Sequence, residues 1–350
     1  MEERIEKTFE TPDGCDLVVE NVRGAITVQG WDQTTTQVVA TTRKGEADIE
    51  ISQDGRTVTA RTKHERGGLG WLDWLTGSKP PIVDYEVRVP YASNLRLKNV
   101  NGPISASDVN GKVHVNDVDG TAALAAIKGE VRAETVNGSL QAERLEGTAK
   151  LNTVNGRMSI KEGALEGLKA DTVNGEIEVV ASFAPGGEYA FHTVNGSCHL
   201  TLASPLYARV LAHGVNMSVD CKVPSEDVER SFGSWQATIG DGNGPRSSIH
   251  FDTVNGRLYI EGPAEGSEAS AEAFVAKSQP APEAPRPPAP AEAFVTKAPP
   301  APEPRPSPAP EPAEAPVEVE AAKSQSEILR MVERGEISVD EAIGMLQEPE

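Results

Sequence analysis

The sequence predicts an all-β protein with a body of stacked β-strand repeats, solenoid-like or β-helix-like, and three observations predict it. A glycine recurs every nine residues from Gly102 to Gly156. Small or aliphatic residues stand at fixed positions around each glycine, as Val100, Ile104 and Ala106 do around Gly102. Alternate nine-residue repeats match each other better than neighbouring ones, which indicates a unit of about 18 residues with two strands and two turns.

The repeat region, residues 93–262, has the chemistry of strands joined by tight corners. Residues two apart on a strand share a face, so the aliphatic positions after each glycine point to a common interior. Asparagine and glycine both tolerate left-handed backbone angles, which suits them to corners. Stacked corners align the asparagines into a ladder whose amides can bond to one another. The predicted turn positions are Asn101, Gly102, Asn110, Gly111, Asn137, Gly138, Asn155, Gly156, Asn174, Gly175, Asn195, Gly196, Asn255 and Gly256.

A hairpin-by-hairpin antiparallel sheet is the competing geometry for this region. Nine residues also fit one strand plus one turn. After Gly175 the period loosens, and residues 223–247 read as an inserted loop.

Residues 1–92 are predicted to form an N-terminal antiparallel β region that continues into the repeats as one body. The dipeptide Asp54-Gly55 between two alternating runs predicts a hairpin, because a type I′ turn needs positive φ at both central residues. The strands are predicted at Asp16–Glu20, Ala25–Val28, Gln37–Thr41, Ala47–Ser52, Thr57–Arg61 and Ile82–Pro90.

An aromatic segment interrupts this region at residues 65–81. It carries Trp71, Leu72, Trp74 and Leu75. One interpretation is a long loop that folds its aromatic side chains onto the sheet. The other is a surface that binds a partner protein or touches a membrane peripherally.

The chain after the body divides into two parts. Residues 263–322 are rich in Pro, Ala and Glu, which predicts a disordered linker. Residues 323–350 predict a small helical hairpin, because Ser338 to Glu341 form a capping box after Gly335. Two such short helices are marginal alone, so we expect self-association or a protein partner. The apolar residues predicted to make that contact are Ile328, Met331, Val332, Ile343 and Leu346.

The composition of the chain argues against several classes of function. Lys and Arg total 33 against 53 Asp and Glu, a formal net charge of −20, which disfavours nucleic acid as a partner. The N-terminus lacks an apolar signal segment and no long apolar run follows, so a cytoplasmic location is expected, with peripheral membrane association as an option. The histidines are scattered and Cys15, Cys198 and Cys221 form no CxxC pair, so no catalytic, metal or cofactor site is predicted.

The residues also resemble a known family. The strand Ile82–Pro90, then Leu95-Arg96-Leu97, then the Asn-Gly repeats, is similar to the bacterial putative-adhesin domain of unknown function over about residues 15–262. The last 25 residues resemble a short helical element of relatives associated with cell-envelope stress. The resemblance implies a β-strand repeat fold without catalysis, hence a scaffold or interaction protein connected with envelope stress or surface binding. A polysaccharide-acting β-helix enzyme and a membrane-associated regulator acting through Trp71 and Trp74 are the alternatives.

Overall fold

The computed structural model describes residues 3–63, 80–240, 242 and 244–263. They belong to one compact unit, and none of them is helical, which confirms the all-β prediction for this part of the chain. No described segment is a helix long and apolar enough to cross a membrane. The strands are β1 Glu3–Glu10, β2 Asp16–Glu20, β3 Ile26–Trp31, β4 Thr35–Lys44, β5 Asp48–Asp54, β6 Thr57–Lys63, β7 Ile82–Pro90, β8 Asn94–Asn101, β9 Ile104–Leu202, β10 Ala208–Cys221, β11 Ser225–Ser231, β12 Ser234–Ile239 and β13 Ser247–Glu261.

The repeat strands pair in parallel. Leu95 of β8 lies opposite Val113 of β9, an offset of one 18-residue unit. Strand β9 pairs in parallel with β13, and β13 with β10. The hairpin-by-hairpin alternative would pair neighbouring strands in opposite directions, so it does not describe these pairs.

The glycines of the repeat let adjacent backbones approach closely. A Cβ atom placed on Gly138 would lie 1.7 Å from the carbonyl oxygen of Gly120, and one on Gly156 would lie 1.7 Å from that of Gly138. Real Cβ atoms do not approach that closely, so only glycine fits these corners. The recurrence of glycine in the sequence therefore has a steric cause.

The interior consists of aliphatic columns that run from repeat to repeat. Each inward side chain is covered by its counterparts on both sides, so burial comes from neighbours rather than from one unit. The column two residues after the corner is at most 2% exposed and comprises Ile104, Ala122, Leu140, Met158, Ile177, Cys198 and Leu258.

The N-terminal region is mixed rather than antiparallel throughout, which corrects the sequence prediction. Strands β1, β4 and β7 pair antiparallel, as do β5 and β6. Strands β2 and β3 pair in parallel with their neighbours on both sides, β6 and β8 for β2, and β7 and β9 for β3. Their inward residues extend the aliphatic columns, so β2 and β3 already follow the pattern of the repeat.

The predicted hairpin at Asp54-Gly55 is present, with a different turn. Asp54 pairs with Thr57, so Gly55 and Arg56 form the turn. Gly55 has φ 56°, whereas neither Asp54 nor Arg56 has a positive φ. The type I′ expectation is therefore wrong, although Gly55 supplies the left-handed angle that the turn needs.

Three strands, β1, β11 and β12, were not predicted from the sequence. Strand β1 is charged and mostly exposed, and only Ile5 and Phe9 pack against the core. The predicted loop at 223–247 is instead largely the antiparallel hairpin β11–β12. Trp235, Ala237 and Ile239 alternate inward on β12, which gives this strand its place in the core.

Candidate functional site

The corner asparagines form a ladder of amide hydrogen bonds on one edge of the body. Asn155 Nδ2 donates to Asn137 Oδ1 at 3.1 Å, and Asn174 Nδ2 donates to Asn155 Oδ1 at 3.1 Å. The same donation runs from Asn195 to Asn174, from Asn255 to Asn195 and from Asn216 to Asn255, at 3.1, 3.0 and 2.7 Å. The amide bonds expected from stacked corners are thus present, and their evident role is structural.

The first two predicted turn asparagines, Asn101 and Asn110, do not take part in this ladder of amide hydrogen bonds. Asn101 donates to the carboxylate of Asp119 at 3.3 Å instead of to an amide. Asn110 and Gly111 belong to a different corner, since a Cβ on Gly129 would meet the Gly111 carbonyl oxygen at 2.5 Å. The spacing of Asn110 is nine residues out of phase with the ladder, which explains its absence from it.

Replacing Asn174 with alanine tests the ladder, because its side chain both donates to Asn155 and accepts from Asn195. We expect a loss of about 1–2 kcal/mol in the free energy of unfolding, since the part-buried amide of Asn155 and the exposed amide of Asn195 each lose a partner. Urea denaturation of the full chain measures it. Asn110→Ala is the matched control and should change stability by less than about 0.5 kcal/mol. Equal effects of the two changes would contradict a ladder that stabilises the body.

An outward column on the other strand of the repeat is cationic. Arg96 lies opposite His114 in the β8–β9 register, and Arg132, Lys150 and Lys169 follow at intervals of 18, 18 and 19 residues. We call these five residues the cationic row. Burial lowers the pKa of His114, an effect that Glu134 opposes and that Arg132, Arg96 and Lys98 reinforce. His114 is therefore mainly neutral at pH 7, and the Arg and Lys residues carry the charge.

Carboxylates neutralise part of the cationic row. Arg132 Nε donates to Glu134 Oε1 at 2.7 Å, and Lys169 Nζ lies 3.3 Å from Asp171 Oδ2. Arg96 and Lys150 have no ion-pair partner among the described residues. These two side chains are therefore the cations available to a ligand.

A shallow surface cleft of about 490 Å³ opens beside the start of the cationic row. Arg96, His114 and Arg132 line it, together with the ion pair between Lys112 and Glu130. The pair measures 3.1 Å between Nζ and Oε2. The cleft is charged and open to one side, as a site for an extended polar ligand would be.

Near the end of the body two histidines join two carboxylates. His192 Nδ1 lies 2.6 Å from Asp171 Oδ1 and its Nε2 lies 3.2 Å from Asp252 Oδ2. His213 Nδ1 lies 3.6 Å from Asp252 Oδ1. The hydrogen bond with Asp171 raises the pKa of His192, and burial works against that rise. The described residues include no group of three or more His, Cys, Asp or Glu side chains suited to a metal ion.

These histidines are scattered in the sequence, and their proximity to one carboxylate, Asp252, was not predicted from it. His192 and Asp252 are 60 residues apart, and only the pairing of β9 with β13 brings them together. The predicted contact residues Trp71, Leu72, Trp74 and Leu75 lie outside the described residues. So do the predicted linker and the predicted helical contact residues Ile328, Met331, Val332, Ile343 and Leu346.

Comparison with known proteins gives matches among solved structures. No protein-family model and no curated protein sequence matches the chain. A putative cell adhesion protein of Clostridium sporogenes is 7% identical, covers 74% of this chain and 100% of its own, and has a TM-score of 0.26. A putative lipid binding protein of Parabacteroides distasonis is 10% identical, covers 74% and 97%, and has a TM-score of 0.37. A putative adhesin of Bacteroides fragilis is 9% identical, with the same coverage and TM-score. These three solved structures are thus described as a putative cell adhesion protein, a putative lipid binding protein and a putative adhesin.

Proposed function

We propose that this chain is a non-enzymatic interaction protein whose β body is a rigid scaffold for a binding surface. The observation that carries the proposal is the cationic row, a column of outward side chains on successive repeats that includes two unpaired cations. Side chains that stand on one sheet at fixed intervals suit an extended ligand better than a small substrate.

The proposal includes a solenoid arrangement of the repeats, with two strands in each turn. The parallel offset between Leu95 and Val113 supports it, as does the close approach of each corner glycine to the one about 18 residues before it. The amide ladder follows the same steps along the chain. In such a stack the repeats rise by about 4.8 Å each, so the spacing of the row is set by the backbone.

The ligand that fits this surface is an extended acidic polysaccharide. A polyuronate such as polygalacturonate carries one carboxylate on each sugar ring, at intervals of about 4–5 Å, which is similar to the rise between repeats. Arginine and lysine both form charge-assisted hydrogen bonds with carboxylates. The net charge of −20 repels polyanions at long range, so recognition depends on the local row rather than on the whole surface.

Binding to polygalacturonate tests this function. We expect the full chain to be retarded in a gel that contains polygalacturonate and not in one that contains neutral dextran. Arg96→Glu combined with Lys150→Glu should weaken the binding by about tenfold or more, because it replaces the two unpaired cations with repelling charges.

A second double variant controls for net charge. Lys44→Glu combined with Lys161→Glu reverses two exposed cations outside the cationic row. It should bind polygalacturonate nearly as the unchanged chain does. Equal retardation in both gels, or an equal loss of binding in both double variants, would contradict the proposal.

A further inference from the structure

Strand β10 is paired along its whole length on one side and along only half on the other. Residues 208–214 and 216–221 pair with β13. On the opposite side, Ala208 to His213 pair with β12, and Gly214 donates to the Gly233 carbonyl oxygen at 2.9 Å. No described strand pairs with residues 216–221 on that side. We call Met217–Val223 the bare edge.

The bare edge is apolar on the face that points toward the core. Val219 and Cys221 lie opposite Leu258 and Ile260, which are both 0% exposed. Val219 and Cys221 themselves are only partly buried, as are Met217 and Val223. These four side chains are packed from the β13 side and lack the cover that the next repeat gives elsewhere. Unpaired edges invite unwanted strand pairing, and proteins commonly cover them with a helix or loop.

The hairpin β11–β12 makes this surface recessed. It continues the sheet by two strands beyond the first half of β10, which is roughly 10 Å. Phe232, at its turn, is 96% exposed. A second copy of the body would meet this hairpin before it reached the bare edge, so a small element fits the recess better.

The chain leaves the described body beside this recess. The amide of Lys222 donates to the carbonyl of Ile260, the penultimate residue of β13, at 2.8 Å. A Cβ on Gly262 would lie 3.8 Å from Val223 Cγ2. The described part of the chain therefore ends next to the bare edge, and tethering raises the local concentration of the residues that follow it.

We propose that the C-terminal helical hairpin, residues 323–350, docks on the bare edge and caps the β body. Its sequence has an apolar face that two short helices cannot bury alone, which includes Val332 and Leu346. The bare edge has an apolar surface without cover. Repeat proteins need a distinct element at each end of the stack, and docking of the predicted hairpin would supply one.

Alkylation of Cys221 in the native full-length chain tests the proposal. Cys15 and Cys198 are both 0% exposed, whereas Cys221 lies on the bare edge, so its thiol reports whether the edge is covered. We expect slow reaction of Cys221 with iodoacetamide. Val332→Asp combined with Leu346→Asp should speed the reaction about tenfold, because local protection is lost. Gln325→Asp combined with Gln347→Asp adds the same charge at polar positions and should leave the rate unchanged.

Hydrogen exchange gives a second measurement that does not depend on the thiol. Amides of residues 217–221 should exchange faster in the Val332→Asp/Leu346→Asp variant, whereas those of residues 104–106 should not change. Equal rates for residues 217–221 in the variant and the unchanged chain would overturn the proposal. Rapid alkylation of Cys221 in the unchanged chain would overturn it too. Protection that falls on dilution would assign the cover to a second copy and likewise overturn it.

Discussion

Gly138→Ala is expected to destabilise the body by about 3 kcal/mol or more, the upper range for overpacking a close contact. The added Cβ would lie 1.7 Å from the Gly120 carbonyl oxygen, 2.9 Å from its carbon and 3.3 Å from its nitrogen. All three atoms are backbone, so no side chain can rotate to make room. The two repeats must move apart, which breaks their hydrogen bonds and opens the aliphatic columns beside them. Urea denaturation of the full chain measures the loss.

Gly167→Ala is the matched control for this substitution. A Cβ there would meet its nearest atoms at 3.6 and 3.8 Å, which is ordinary van der Waals contact. Gly167 also lacks a positive φ. This variant should keep the stability of the unchanged chain within about 0.5 kcal/mol. If both alanine variants were equally stable, the close packing of the corners would not be the reason for the glycine period.

Asp117→Thr is expected to stabilise the protein at pH 8. The Asp117 side chain is 1% exposed, and neither carboxylate oxygen has a hydrogen-bond partner of good geometry. Burial raises the pKa of Asp117 from 3.8 to about 7, partly offset by the Val118 amide and reinforced by Asp119. The folded state thus favours the neutral acid, and ionisation of Asp117 lowers the free energy of unfolding. Threonine holds the equivalent place at Thr135 and Thr153.

The sign of the pH dependence follows from that shift. Well below pH 3.8 the carboxyl is protonated in both the folded and the unfolded state, so it does not lower the free energy of unfolding. Between about pH 4 and pH 7 the unfolded chain ionises first, and stability falls as the pH rises. Above pH 7 the full penalty of about 4 kcal/mol remains. The stability of the Asp117→Thr variant should not show this decrease between about pH 4 and pH 7.

Thermal unfolding at pH 4, 6 and 8 measures the effect. Asp119→Asn is the control, because Asp119 is an exposed carboxylate two residues away. It should reduce the pH dependence only slightly, because Asp119 contributes less to the raised pKa of Asp117 than burial does. A parallel pH dependence for the unchanged chain and Asp117→Thr would show that Asp117 ionises normally in the folded state.

The sequence predicts the repeat well because its period has a direct steric cause. Glycine recurs where backbones touch, and the aliphatic residues recur where columns fill the core, so both appear as spacing in the sequence. Strand direction has no such signal. The same alternation of inward and outward residues occurs in parallel and antiparallel strands, which is why β2 and β3 were wrongly predicted to be antiparallel. Strand β1 was not predicted because its outward face and half of its inward face are polar.

The candidate site depended on information that spacing alone does not give. His114 and Arg132 are recognisable as outward residues from the pattern, yet the outward positions taken together are mixed in sign. The cationic row is recognised only when outward residues are aligned at the 18-residue offset of the paired strands. His192 and Asp252 are separated in the sequence by a segment whose length does not follow the nine-residue period. Their contact could therefore not be predicted from the spacing.

The order of the last strands bears on how the protein is synthesised. Strand β13 lies between β9 and β10, although β10 precedes it in the chain. Asn195 and Asn216 are 21 residues apart, the same interval that separates Asn174 from Asn195. A nascent chain that has not yet emerged through Glu261 therefore offers β10 an available but non-native neighbour in β9. Strand β10 can take its native place beside β13 only once residues 247–261 have been synthesised, so the native order of these strands is completed late in translation.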